Sequence, residues 1–161
     1  VYELLGSKID FRPHFIVSIV NNSVRSLHGP NEAKEDMRQA CIIDVYGIEK
    51  WWKYVDYVNN NCSLSNINTC WEKAAESSGI DKSKIESCVS EKGLELMKEE
   101  FQLTSSLGIS ASPTLIINGN LYRGARTPEA FKSAICNAFI EKPEECNQTV
   151  ESQVVASKGN C

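Results

Sequence analysis

Seven cysteines, two histidines and one proline ahead of a β-branched run are the residues of this chain whose types and spacing could do chemistry. A cysteine can be a thiolate nucleophile, a metal ligand or half of a disulfide. Cys41, Cys62, Cys70, Cys88, Cys136, Cys146 and Cys161 are spread along the sequence with no C-x-x-C pair, which disfavours a structural zinc site. So many cysteines are unusual for a reducing cytosol, so disulfides and an oxidising compartment are expected. Cys62 and Cys70 flank a short loop between two predicted helices, and Cys136 and Cys146 bracket the end of the last helix. Cys41 and Cys88 sit on inward stripes of two helices. These are candidate pairs, although spacing alone leaves the connectivity open. Cys161 is left over, either unpaired or bridging to a segment outside the sequence. Asn21, Asn61 and Asn147 head Asn-x-Ser/Thr triplets and are candidate glycosylation sites, in keeping with a secretory route.

His28 is followed by Gly29, and Glu32 stands in the first turn of the helix that comes next. The pair reads as a helix entry with an acid complementing the helix dipole, not as a catalytic base or metal ligand. No metal site and no cofactor is expected. The proline is Pro113, directly before Thr114-Leu115-Ile116-Ile117. Proline gives no N–H to a sheet ladder, so it is tolerated at a strand's first residue and rarely inside one.

The elements that must position these residues follow from periodicity and caps. TLII and NLYR flank Asn118-Gly119, a strong hairpin signal. Thr127-Pro128-Glu129 then starts a helix carrying Phe131, Ile135, Ala138 and Phe139. Alternation of Ile9, Phe11, Phe15, Val17 and Ile19 predicts a strand, with Pro13 marking an edge or a bulge. Before it, Val1–Leu5 reads as the end of a helix closed at Gly6. Between residues 31 and 107 the pattern is helical throughout. Asn31 caps a stripe of Ala33, Met37, Ala40, Cys41 and Val45, and a second stripe holds Ile48, Trp51, Trp52, Val55 and Val58. Asn68 caps a third with Trp71, Ala74 and Ala75, closed by Gly79, and Asp81 caps a fourth with Ile85, Cys88 and Val89. Leu94, Met97, Phe101 and Leu107 run down a fifth, stopped by Gly108. The order predicts an α/β fold, a mixed sheet with an all-helical insertion at about 31–107. One domain over 1–141 and a polar tail over 142–161 are expected. A net charge of −4 without a Lys/Arg cluster argues against a nucleic-acid partner. No apolar run approaches the roughly 20 residues that span a bilayer.

Two blocks carry a resemblance. Ser112-Pro113-Thr114, the Asn-Gly hairpin and the TPE helix start resemble the thioredoxin superfamily, where a cis-proline occupies this position. Leu27 to Cys41 is similar to the signature CQHGxxECxxNxxxxC of the gamma-interferon-inducible lysosomal thiol reductases, relatives of DsbA-like proteins with a helical insertion. His28, Gly29, Glu32 and Cys41 fall on it, while Ser26, Leu27, Ala33 and Asp36 replace its Cys, Gln, Cys and Asn. Ile85-x-x-Cys88 and Gly93-x-x-Leu96-Met97 resemble later helices of the same family. The resemblance implies a cis Pro113, with extended peptides or proteins bearing thiols or disulfides lying against Ala111, Ser112, Pro113 and Thr114. It also implies a secreted or luminal thiol–disulfide oxidoreductase whose C-x-x-C, and the strand before it, would lie upstream of Val1. The alternative is a redox-inactive, disulfide-stapled binding or structural module. The residues upstream of Val1 would distinguish the two.

Overall fold

The computed structural model of the chain describes residues 1–150. In order, its elements are α1 (Tyr2–Leu5), β1 (Val17–Val20), β2 (Ser23–Ser26), α2 (Pro30–Tyr46), α3 (Ile48–Asn61) and α4 (Ile67–Ser77). They continue with α5 (Lys82–Glu91), α6 (Gly93–Ser106), β3 (Ile116–Ile117), β4 (Asn120–Leu121) and α7 (Pro128–Asn137). The fold class is α/β and helix-rich, as expected, and the five-helix block between the two strand regions matches the insertion pattern. Two units emerge, Pro13–Ser110 and Val1–Arg12 together with residues 111–150.

In the first of these, β1 and β2 form an antiparallel hairpin, with Val17 opposite Ser26 and Val20 opposite Ser23. The turn is Asn21-Asn22, both at positive φ (49° and 59°), a conformation asparagine tolerates. The predicted strand over residues 9–19 is shorter than its alternation suggested, because ladder pairing begins only at Val17. Pro13 has no N–H to contribute, and the Phe15 N–H is spent on the Glu100 carboxylate (2.9 Å). β2 was not predicted. Val17, Ala40 and Met97 are buried together, with Phe15, Ile19, Val24, Met37 and Leu96 packed around them. Farther along the block, Cys41, Ile42, Tyr54, Ala74, Ala75 and Ile85 are fully buried.

Local signals explain some of the helix ends. Asp81 caps α5 by accepting from the Ser83 N–H, as its position predicted. Asn31 and Asn68 do not cap. α2 starts at Pro30 behind Gly29, and α4 starts at Ile67 behind Asn66. Instead the Asn31 amide donates to the Leu64 carbonyl (2.9 Å) and accepts from Asn68 (2.8 Å), tying α2 to the α3–α4 loop and to α4. One glycine both ends α2 and starts α3. The Gly47 N–H bonds the Ile43 carbonyl, its own carbonyl accepts from Trp51, and its φ of 80° is one a side chain would resist. Three predicted inward residues face out: Val45, Phe101 and Leu107 are exposed, the buried seam on α6 being narrower than its apolar stripe.

In the second unit α1 does not stop at Gly6, which is right-handed (φ −57°) and continues into a 3₁₀ turn. The Tyr2 and Phe11 rings pack tilted by 56° with centroids 5.3 Å apart, and Lys8 pairs with Glu145 (3.3 Å). β3 and β4 pair antiparallel across Asn118-Gly119, both at positive φ, the turn this dipeptide favours. The mixed sheet expected from sequence is thus represented by two short antiparallel ladders. Thr127 caps α7 by accepting from the Ala130 N–H, with Pro128 at the first helical position. The segment after α7 is clamped to it. Lys132, buried, reaches Glu129 (2.8 Å) and the Gln148 carbonyl, and the Val150 N–H donates to Glu129 (3.0 Å).

Candidate functional site

The Ser112-Pro113 peptide bond is cis. Ala111, Ser112, Pro113 and Thr114 are all exposed. The Thr114 hydroxyl donates to the Ala111 carbonyl (2.6 Å), closing a tight turn ahead of β3. Among the described residues the main-chain groups of Ser112 and Thr114 have no hydrogen-bond partner. A backbone so presented can pair with an extended segment, because main-chain groups bond any sequence. Its four residues include no cysteine. Cys41–Cys88, Cys62–Cys70 and Cys136–Cys146 are disulfides, each with Cα atoms 5.8 Å apart, so none of these six sulfurs is a thiolate. Cys161 lies outside the described residues. The sequon asparagines Asn21, Asn61 and Asn147 are exposed, in the β1–β2 turn, at the last residue of α3 and in a 3₁₀ turn before residue 148.

His28 and Glu32 do shape a helix entry. The Glu32 carboxylate accepts from the His28 N–H (2.6 Å) and sits 2.8 Å from its ring Nδ1, much as a capping box reaches back over a helix start. They belong to a larger set that sequence reasoning missed. Three helix carboxylates hold the chain around the β1–β2 hairpin. Glu32 takes His28, Asp36 takes the Ser26 hydroxyl, and Glu100 on α6 takes the Phe15 N–H and the His14 ring (3.1 Å). Ser26 and Asp36 are two of the departures from the reductase signature, and here they bond each other. Burial pushes the Asp36 carboxyl up to about 7, with the Ser26 hydrogen bond opposing and Glu32, Glu35 and Glu100 adding repulsion.

The residue before Asp36 on α2 holds a second polar centre. Glu35, buried, accepts from the Tyr54 hydroxyl (2.8 Å), Arg38 (3.0 Å) and Gln39 (3.2 Å). Gln39 accepts in turn from the Trp51 indole (2.9 Å). Arg38 stacks over Trp71 (4.9 Å) and donates to Asn68 (3.0 Å). Burial raises the Glu35 carboxyl, opposed by its three donors, and burial with the adjacent Glu35 pushes Tyr54 well up. Every arm of this network is satisfied and closed, which fits an interlock between α2, α3 and α4 better than a reacting centre. Among the described residues no His, Cys, Asp and Glu set has metal-ligand geometry. None of the described helices is long and apolar enough to cross a membrane.

Comparison with known proteins settles the family. Residues 17–136 match the model of the vacuolar sorting receptor thioredoxin-like domain. Vacuolar-sorting receptor 5 of Arabidopsis thaliana is 31% identical over 153 residues, covering 83% of this chain and 25% of that protein. Vacuolar-sorting receptor 6 of the same plant is 31% identical over 125 residues, 68% of this chain and 20% of that protein. Vacuolar-sorting receptor 1 of Pisum sativum is 28% identical over 152 residues, 83% and 24%. The chain spans about a quarter of the length of such relatives. These matches overturn the oxidoreductase expectation. The thioredoxin-like fold stands, but the relatives are receptors and not thiol reductases, so a redox C-x-x-C and thiol or disulfide substrates lose their support. Fold likeness carried the site's backbone and not its chemistry. With a family model matched over most of its length, this chain belongs to the vacuolar sorting receptor thioredoxin-like domain family.

Proposed function

We propose that the chain is a non-catalytic binding module of a sorting receptor, working in the lumen of an endomembrane compartment. The observation that carries this reading is its membership of a receptor family, and the three disulfides fit an oxidising lumen. The ligand is an extended protein segment that adds as a strand beside Ala111, Ser112, Pro113 and Thr114. Support for that placement comes from the exposed and unpartnered main chain of Ser112 and Thr114. Amide-shift mapping with an unfolded, cysteine-free polypeptide tests it. The largest shifts are expected at Ala111, Ser112 and Thr114; unchanged amides there with binding elsewhere would remove the placement. Catalysed reduction of insulin by the chain would contradict the receptor reading itself.

A further inference from the structure

We infer that Asn21 carries an N-linked glycan at the tip of the β1–β2 hairpin, an inference that rests on the luminal reading above. Three triplets in the sequence satisfy Asn-x-Ser/Thr, and the structure separates them. The Asn61 amide already donates to the Tyr57 carbonyl (2.9 Å), and the middle residue of its triplet, Cys62, is closed onto Cys70. Asn147 follows Cys146, which is bonded to Cys136, and the next residues are pinned to α7 through the Gln148 carbonyl and the Val150 N–H. Asn21 differs from both. It is exposed in a two-residue turn, and among the described residues its side chain has no hydrogen-bond partner. Its triplet neither contains nor adjoins a cysteine, so its modification is independent of the order in which disulfides close.

Turn chemistry accounts for asparagine at positions 21 and 22, where φ is positive, but not for the hydroxyl at Ser23. That side chain is exposed and makes no hydrogen bond among the described residues, so the fold places no demand on it. A glycosyltransferase does, since the hydroxyl two residues on is part of what it recognises. The donor is a lipid-linked oligosaccharide pyrophosphate. The Asn21 Nδ2 attacks the anomeric carbon, an N–C bond forms and the C–O bond to pyrophosphate breaks. The lipid pyrophosphate leaves with the electron pair, and the amide proton passes to a carboxylate of the transferase. Because the hairpin's other end is held by Ser26 and His28, a glycan at the tip projects away from those carboxylate contacts.

The test is to pass the full chain through a eukaryotic secretory pathway and map it by mass spectrometry with and without enzymatic deglycosylation. Asn21 is expected to be occupied in most molecules. Ser23→Ala, which leaves the turn asparagines in place, should abolish that occupancy with an unchanged melting temperature, and Ser23→Thr should retain it. A secreted chain with all three disulfides and a bare Asn21 would overturn the inference and leave the luminal reading standing. A chain recovered with free thiols at those six cysteines would instead sink the luminal reading.

Discussion

Replacing Asp36 by asparagine should make the protein more stable at neutral pH and flatten its pH dependence. Asp36 lies on α2, bonded by the Ser26 hydroxyl and facing Glu32, Glu35 and Glu100, and its carboxyl is raised from 3.8 to about 7 chiefly by burial. A group whose proton is held more tightly in the folded state contributes stability below its unfolded pKa. That contribution is lost as pH rises through the folded value. The window here runs from about 4 to about 7, with the wild type weakening across it. At ~1.36 kcal/mol per pH unit the ceiling is about 4 kcal/mol, and hydration of a partly exposed carboxyl brings the expected change to about 2 kcal/mol. The asparagine carbonyl still accepts from Ser26, so the change removes a charge and keeps the hydrogen bond. Urea unfolding at pH 5, 6, 7 and 8 reads the effect. Glu35, also raised by burial, leaves a residual slope in the variant. Ser26→Ala is the counterpart, since losing the donor should steepen the wild-type slope. An Asp36→Asn variant that is less stable at pH 8, or that keeps the full slope, would refute the reasoning.

The remaining predictions concern staples and caps. The Cys41–Cys88 bridge closes 47 residues, so joint replacement of both by serine should cost about 4 kcal/mol on a chain-entropy estimate, read by urea unfolding. Tyr54→Phe strips Glu35 of one donor in a buried network and should cost about 1–3 kcal/mol; a loss within error would mean that the hydroxyl does not anchor that centre. Thr127→Ala removes the α7 cap and should lower stability by about 1 kcal/mol, with faster amide exchange at Ala130.

What was legible in sequence was whatever is local. The Asp81 and Thr127 caps act two and three residues away, and the Asn118-Gly119 turn lies inside its own dipeptide, so position alone revealed them. Asn31 and Asn68 looked like caps by the same logic, but their amides serve contacts some thirty residues apart in sequence, which no local pattern encodes. The Glu35–Arg38 and Glu35–Gln39 spacings were visible as helical neighbours. What makes them a centre is Tyr54 on the next helix, and that depends on how α2 and α3 pack. Ser26 and Asp36 registered only as departures from a borrowed signature, and their hydrogen bond gives the two departures a common reason. The functional expectation failed for a related cause. Proline, turn and cap signals report a backbone, and the backbone of a thioredoxin-like fold serves receptors as well as reductases.

The disulfides also set what a protease can do to this chain. Cys62–Cys70 lies wholly inside the loop closed by Cys41–Cys88, so the two form nested rings. One cleavage anywhere between those outer cysteines opens the backbone and releases nothing. A second cut still leaves every piece covalently joined when one of the two falls inside the inner ring and the other outside it. A nicked molecule would run as a single species until its disulfides are reduced, and the helical block would stay one object after its main chain has been broken.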